Sequence, residues 1–426
     1  MPTNYKKTAI GEHKLQPESL MMGYGYDPKL SEGAIKCPNF QTSTFVFESA
    51  EQGKHLFDVS SGRIQLEEGE KAGLVYSRFN NPTIEIAENR IAIWDNAQDC
   101  IVTGSGMSAI STTLLALSKP GDVIVYSEPI YGGTDTLING MLTQMNIKAV
   151  GFISSEGTKG LEEALKTASE MGNISVVMLE TPDNPTNNLV DLIKCRHLID
   201  EISEKQLVRP ILAIDNTMLG PLWQQPLKHG ADLCLYSLTK YVGGHSDLIG
   251  GSCSGNKDLI AKIRKIRNCI GTTMDSHTAW LILRSLETLK IRMQASAIGA
   301  KQVVDYLNTH KQVTRIDYPG LLTEGDPQYQ IYKKQCTGAG STFSFEIKGG
   351  EKSAFNVLNK LKLVKLAVSL GGTESLAQHP AAMTHSGVPK ARRELIGVTD
   401  GLIRISIGIE EPADIIADLA QAMSEL

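Results

Sequence analysis

Lys240 closes the run Ala231-Asp-Leu-Cys-Leu-Tyr-Ser-Leu-Thr-Lys240, in which Leu233, Leu235 and Leu238 carry the apolar weight of a buried strand. An amine at the end of such a strand is costly unless it is paired, neutral or covalently occupied. Three roles are open to it: a lysine that forms a Schiff base, a phosphate-binding lysine, or a surface lysine at a strand end. Ser237 and Thr239 place hydroxyls beside the amine, and Gly243-Gly244 breaks the chain just after it.

Other polar groups stand at the ends of apolar runs. In Gly104-Ser-Gly-Met-Ser108, glycines allow close backbone approach, and Ser105 and Ser108 add hydroxyls where Gly106 and Met107 open a helix. Free amides there favour a phosphate. Gly104-x-Gly106-x-x-Ala109 also fits the dinucleotide fingerprint, and a tight turn without a ligand stays open too. Asp215 ends Ile211-Leu-Ala-Ile. A half-buried carboxylate there needs a cation, for which a protonated pyridine nitrogen would serve, unless the residue merely caps a turn. Tyr131, in Pro129-Ile-Tyr-Gly-Gly-Thr134, can stack on a flat ring and move a proton, or can be a core tyrosine. Tyr76-Ser-Arg78 offers a phosphate clamp or a surface arginine. Asn184, in Glu180-Thr-Pro-Asp-Asn-Pro185, can aim an amide at a ring oxygen or close its own turn. Arg404, in Leu402-Ile-Arg-Ile-Ser-Ile407, must meet an anion if it faces inward, either a substrate carboxylate or an internal acid.

Periodicity gives the elements that would position these groups. Strands are expected near 100–103, 123–126, 149–153, 175–179, 211–215 and 232–238. Helices are expected over 84–94, 107–117, 161–169 and 192–202, with a further one after Gly133. Such alternation predicts an α/β fold, a mostly parallel sheet with helices on both faces and ligands beyond the carboxyl ends of its strands. From about residue 290 the rhythm changes to a long helix over 291–307, strands near 341–346 and 401–406, and a closing helix from Ala413. This predicts a large domain over 81–290 and a smaller C-terminal α+β domain over 291–426. Residues 1–80 read as an irregular, extended arm that needs a neighbouring subunit to lie against, with an exposed loop over 60–73.

Composition narrows the function classes. The 426-residue chain carries a formal net charge of −5, and its most basic run, Lys262 to Arg267, alternates with Ile as a partly exposed helix would. No nucleic-acid partner is expected. Seven scattered cysteines without a Cys-x-x-Cys pair argue against a disulfide framework and a structural zinc site, and the histidines show no ligand spacing, so no metal is expected. No stretch spans a bilayer and the N-terminus lacks a secretory apolar core, which points to a cytoplasmic setting without a membrane partner.

The ordered series Tyr76-Ser-Arg78, Ser105-Gly-Met107, Tyr131-Gly-Gly-Thr134, Glu180 to Pro185, Asp215-Asn-Thr217, Ser237-Leu-Thr-Lys240 and Leu402-Ile-Arg404 resembles the Cys/Met-metabolism family of pyridoxal-phosphate enzymes. The likeness runs from about Gly25 to the end. It implies a fold-type I, aspartate-aminotransferase-like subunit, pyridoxal 5'-phosphate as cofactor, an amino-acid substrate and a homotetramer built as a dimer of dimers. By the same resemblance Lys240 is the Schiff-base lysine, Asp215 the partner of the pyridine nitrogen and Tyr131 the stacking tyrosine. Ser105, Gly106, Met107, Ser237 and Thr239 surround the phosphate within the subunit, and Tyr76 and Arg78 reach it from across a dimer. Asn184 lies near the ring hydroxyl, and Ser369 and Arg404 bind the substrate carboxylate.

The stretch Ala367-Val-Ser-Leu-Gly-Gly-Thr-Glu-Ser-Leu-Ala-Gln-His-Pro380 looks most like methionine γ-lyases, because Val368 offers a thioether an apolar wall where cystathionine γ-synthases and γ-lyases tend to carry glutamate. Gly133 instead matches the cystathionine enzymes. The reading is therefore γ-elimination on a sulfur amino acid, methionine foremost, with a cystathionine γ-synthase or γ-lyase as the alternative and a nicotinamide-dependent oxidoreductase as a remote one.

Overall fold

The structure is a computed structural model that describes residues 4–60, 63–64, 73–204, 206 and 208–424. The expected loop over 60–73 lies for the most part outside the described residues. A small hairpin, β1 (Ala9–Ile10) with β2 (His13–Lys14), opens the chain. Seven strands then form the main sheet: β3 (Asp99–Thr103), β4 (Val123–Glu128), β5 (Lys148–Ile153), β6 (Ile174–Glu180), β7 (Ile211–Asp215), β8 (Leu233–Ser237) and β9 (Gly251–Gly255). Their order is β3-β9-β8-β7-β6-β4-β5. Only β9 runs against the others, so the carboxyl ends of the remaining six strands share one edge.

The buried strands are near-continuous apolar runs, as a sheet covered on both faces requires, and every residue of β6 is buried. One face packs on the helix Gly106–Leu117 through Ala109, Ile110 and Leu114, and the other takes Leu161, Leu165, Cys195 and Ile199 from the helices Gly157–Met171 and Leu192–Ser203. β9 breaks the expected pattern. Its sequence, Gly-Ser-Cys-Ser-Gly, has no strand-like apolar signature. Tertiary packing explains it: a Cβ on Gly251 would lie 2.1 Å from the Ser105 carbonyl oxygen, and one on Gly255 would lie 2.6 Å from that of Asp232. Only glycine fits where this strand slides between β3 and β8.

The run from Lys262 to Arg267 lies in the helix Lys257–Ile270, with Ile260, Ile263 and Arg267 buried. Arg264 and Arg267 both grip the buried Glu88, at 2.7 and 2.5 Å, which fastens this helix to the helix Pro82–Asp95. These cations are thus turned to internal pairing.

The second sheet comprises β10 (Val313–Asp317), β11 (Thr342–Ile347), β12 (Lys365–Leu366), β13 (Leu376–Gln378) and β14 (Leu402–Ser406), in the order β10-β11-β14-β13-β12. The helices Leu289–Asn308, Gly350–Lys360 and Pro412–Met423 cover one face, where Phe343, Phe345, Ile403 and Ile405 join Val304, Leu358 and Leu419. Alternation along β14 turns Arg404 to the opposite face, beside its register partners Ser344 and Gln378.

The N-terminal segment is less irregular than its sequence indicates, since Ala50–Ser60 is a helix. Part of it lies on its own subunit: Leu20, Met21, Tyr26 and Cys37 are buried in one cluster with Ile84, Trp94 and Leu283. Other apolar side chains face outward, with Val46 98 % and Ile35 83 % exposed. No helix among the described residues is long and apolar enough to cross a membrane.

Candidate active site

The shared strand edge gathers the singled-out residues because each stands at or just beyond the carboxyl end of a parallel strand. A cavity of about 290 Å³ lies there, at the small end of ligand pockets. Ser105, Gly106 and Met107 after β3, Tyr131 after β4, Asn184 after β6, Asp215 at the end of β7, and Ser237, Thr239 and Lys240 around the end of β8 all line it. Val368, Ser369 and Arg404 enter from the C-terminal sheet domain.

One corner has the donors that would suit an anion. Ser105 caps the helix Gly106–Leu117, its Oγ accepting from the Ser108 amide at 3.0 Å. That leaves the first amides of a 12-residue helix beside the Ser237 and Thr239 hydroxyls. A Cβ on Gly106 would sit 2.9 Å from the Ser237 Cβ, so glycine is what allows this approach. The strand feeding the turn, β3, is an edge strand beside the antiparallel β9. A dinucleotide fingerprint belongs to a strand in the middle of a doubly wound sheet, so the nicotinamide reading loses its structural context.

Deeper in, Asp215 is buried and accepts from both the amide and the hydroxyl of Thr217, at 3.0 and 2.6 Å, through a single oxygen. Thr217 also accepts from the Ser237 amide at 2.9 Å, tying β7 to the strand that carries the lysine. Burial pushes the Asp215 carboxyl up, while Thr217 and Lys240 oppose that. A cationic ring nitrogen set against Asp215 would restore its charge.

The Lys240 amine donates to Ser369 Oγ at 3.0 Å. Burial, helped by Arg404, pulls it down to about 8, and Asp215 opposes the shift. An amine so poised is a competent nucleophile and proton carrier near neutral pH. Arg404 is buried and its partners are neutral: Asn184 Oδ1 at 3.0 Å, the Ser369 carbonyl at 2.8 Å, and the Gln378 amide oxygen at 3.2 Å from both terminal nitrogens. Burial lowers it to about 10. A buried guanidinium held by neutral acceptors is suited to an incoming carboxylate.

Asn184 is placed by a loop pinned on Asp183, which accepts from Thr186 Oγ1 at 2.6 Å and from the Asn188 amide at 3.0 Å. The Tyr131 amide donates to Glu180 at 2.8 Å, and its ring packs near Gly133. A Cβ on Gly133 would come within 2.8 Å of that ring and 2.9 Å of Met107 Sδ, so any larger residue there must move the tyrosine or the methionine.

Two singled-out residues stay apart from this cavity. Arg78 donates to the Asn268 carbonyl and lies 4.4 Å above the Phe79 ring, while Ser77 and Phe79 line a different cavity of about 610 Å³. Tyr76 is bridged to Thr44 and is 40 % exposed. Sequence reasoning passed over Thr217, Glu180, Gln378 and Thr384. Thr217, two residues after Asp215, carried a turn signal that would have found it. Gln378 is seen only through the pairing of β13 with β14.

The family described as Cys/Met metabolism PLP-dependent enzymes matches residues 18–424 of the chain. An L-methionine gamma-lyase of Fusobacterium nucleatum subsp. polymorphum is 41 % identical over 398 residues, covering 92 % of this chain and 94 % of that protein. The cystathionine gamma-lyase of Bos taurus is 37 % identical over 83 % of this chain and 84 % of its own length. Among solved structures, cystathionine gamma synthase from Xanthomonas oryzae pv. oryzae superposes with a TM-score of 0.85 at 31 % identity, covering 96 % of this chain and 98 % of that one. A putative O-acetylhomoserine (thiol)-lyase of Campylobacter jejuni, solved with N'-pyridoxyl-lysine-5'-monophosphate, reaches 0.86 at 29 % identity, covering 96 % of this chain and 100 % of that one.

Proposed function

The chain belongs to the Cys/Met metabolism PLP-dependent enzymes, a carbon–sulfur lyase-like fold-type I subunit, and from that premise we propose that it removes the γ-substituent of L-methionine and consumes one water, releasing methanethiol, 2-oxobutanoate and ammonia. The observation that carries this reading is Val368 at the cavity wall beside Ser369, where a thioether would lie. Relatives named for methionine gamma-lyase activity, at 41 and 39 % identity, support it.

The residues fit the family's cofactor. The amides of Gly106 and Met107 with Ser105, Ser237 and Thr239 would hold its phosphate, Tyr131 would stack on its ring, Asn184 would face the ring hydroxyl, and Asp215 would keep the ring nitrogen protonated. Lys240 would hold its aldehyde carbon, a role supported by the pyridoxyl-lysine in the Campylobacter protein. Bound there, pyridoxal phosphate supplies an electron sink for the bond broken at the substrate's α-carbon. Arg404 and Ser369 fix the α-carboxylate, which orients the Cα–H bond. With its amine held near neutral by burial, Lys240 would take the α-proton and carry protons at Cβ. Tyr131 stands near the leaving group as acid or base. In a dimer, Tyr76 and Arg78 would hold the phosphate bound by the second copy, and two such dimers would form a tetramer, with the exposed apolar residues of the N-terminal arm at the contact. We place the boundary between the large and C-terminal domains near residue 290 and the enzyme in the cytoplasm.

A second reading, cystathionine cleavage or synthesis, is favoured by Gly133, the residue that matches the cystathionine enzymes at a place where a Cβ would meet the Tyr131 ring. Steady-state assays with methionine, cystathionine, homocysteine and O-acylhomoserine separate the two. Methionine should give the highest kcat/KM. A preference of tenfold or more for cystathionine, about 1.4 kcal/mol of differential transition-state binding, would overturn the methionine assignment.

A further inference from the structure

Glu180 is the last residue of β6, 3 % exposed, and it lines the cavity without a part in the chemistry above. Its register partner on β7 is Asp215. Side chains paired in register on adjacent parallel strands leave the same face of the sheet from backbones about 4.8 Å apart. Two carboxyl groups thus share one desolvated corner. Two negative charges so placed disfavour each other, and one of the pair keeps its proton.

The surroundings decide which. Asp215 accepts two hydrogen bonds from Thr217 and has Lys240 as a nearby cation. Glu180 accepts one, from the Tyr131 amide at 2.8 Å. Around it stand Asp215 on β7 and Asp183 on its own loop, both repelling a charge, with Arg404 from β14 as the attracting cation. Arg404 directs its donors to Asn184, Ser369 and Gln378. Burial and the Asp215 charge push Glu180 well above the usual carboxylate range. The proton therefore resides on Glu180.

We propose that Glu180 is a positioning residue held as a neutral carboxylic acid, anchoring the turn that carries Tyr131 and leaving the negative charge on this face of the sheet to Asp215. This rests on the reading of Tyr131 and Asp215 as the groups that stack on and protonate the cofactor ring. A neutral acid does both tasks at once: its carbonyl oxygen accepts the Tyr131 amide, and it adds no charge that would compete with Asp215 for the ring cation. An amide of the same shape does the same.

The test compares Glu180→Gln, Glu180→Ala and wild type as holoenzymes. Glu180→Gln should keep kcat and KM within about threefold and retain the visible spectrum of the bound cofactor, whereas Glu180→Ala should lose roughly tenfold or more in kcat with a displaced spectrum. The wild type minus Glu180→Gln infrared difference at neutral pH should show the carbonyl stretch of a protonated carboxyl. A difference spectrum with carboxylate bands instead, or a Glu180→Gln enzyme as impaired as Glu180→Ala, overturns this inference alone. A wild-type protein with no visible absorbance after incubation with pyridoxal phosphate overturns the site reading and this inference with it. Should Glu180→Ala fail to fold, the isosteric Gln variant and its infrared difference still decide the matter.

Discussion

The strand-end cluster around Lys240 and the segment around Arg78 use the same residue types and end in opposite situations. Around Lys240 each charged group meets partners inside one subunit: Lys240 on Ser369, Asp215 on Thr217, Arg404 on Asn184. Arg78 finds a backbone carbonyl and an aromatic face, and Tyr76 is partly exposed beside the Phe79 ring, neither of them touching the cavity. The difference teaches where a site's pieces come from. Parallel strands force their carboxyl ends together, so the residues just beyond those ends converge whatever path the loops take. A residue in a segment preceding the sheet has no such constraint, and within one chain Tyr76 and Arg78 stay outside the cavity; the proposed role for them needs a second copy of the chain.

The sharpest way to break the comparison is at the lysine. Lys240→Ala should abolish turnover while the phosphate corner still binds cofactor, checked by single-turnover assay and by equilibrium dialysis of pyridoxal phosphate. Measurable elimination by that variant would mean another base does the work.

A smaller effect is expected at the outlying segment. Arg78→Ala should weaken cofactor binding roughly ten- to a hundredfold, the worth of one charge-assisted hydrogen bond to phosphate at about 1.5–3 kcal/mol. Co-expression of Arg78→Ala with Lys240→Ala chains should restore part of the activity, because a mixed dimer has one site with both residues intact. If each variant stays as inactive mixed as alone, Arg78 serves its own subunit or none.

The smallest effect concerns the apoprotein. Burial holds the Lys240 amine near 8 when folded, against 10.5 unperturbed. Between those values the unfolded chain binds the proton and the folded one does not, so folded-state stability contributed by this group rises with pH through the window and is lost as pH falls below it. Melting temperatures of apoprotein between about pH 8 and 10 should therefore climb more for wild type than for Lys240→Met. Equal slopes would show the amine to be solvated.

Much of this architecture was legible in residue order. Apolar runs alternating with helical periodicity marked six of the seven main strands, since a strand covered on both faces must be apolar throughout. β9 was illegible because its glycines answer to neighbours on both sides, the Ser105 and Asp232 carbonyls, and a local pattern holds no trace of either. The helix Ala50–Ser60 escaped for a local reason: Gly53 sits inside it, its first half is mostly polar, and Leu56, Phe57 and Val59 crowd into its second half. Tyr131, Asp215 and Lys240 could be named as candidates because a polar residue after an apolar run is conspicuous. Thr217 could have been found from its place two residues after Asp215, but Gln378 could not, because its importance lies in a hydrogen bond to Arg404 that only the pairing of β13 with β14 creates.

Residue order alone settled which chemical groups are available and that parallel strands would deliver them to one edge, because strand periodicity and crossover length are local properties of the chain. Only the folded molecule decided how those groups are charged. Which of Glu180 and Asp215 keeps its proton, how far the Lys240 amine is desolvated, and why Arg404 meets only neutral hydrogen-bond partners depend on distances between strands remote in sequence, and charge in a buried site is set by what lies within a few ångströms.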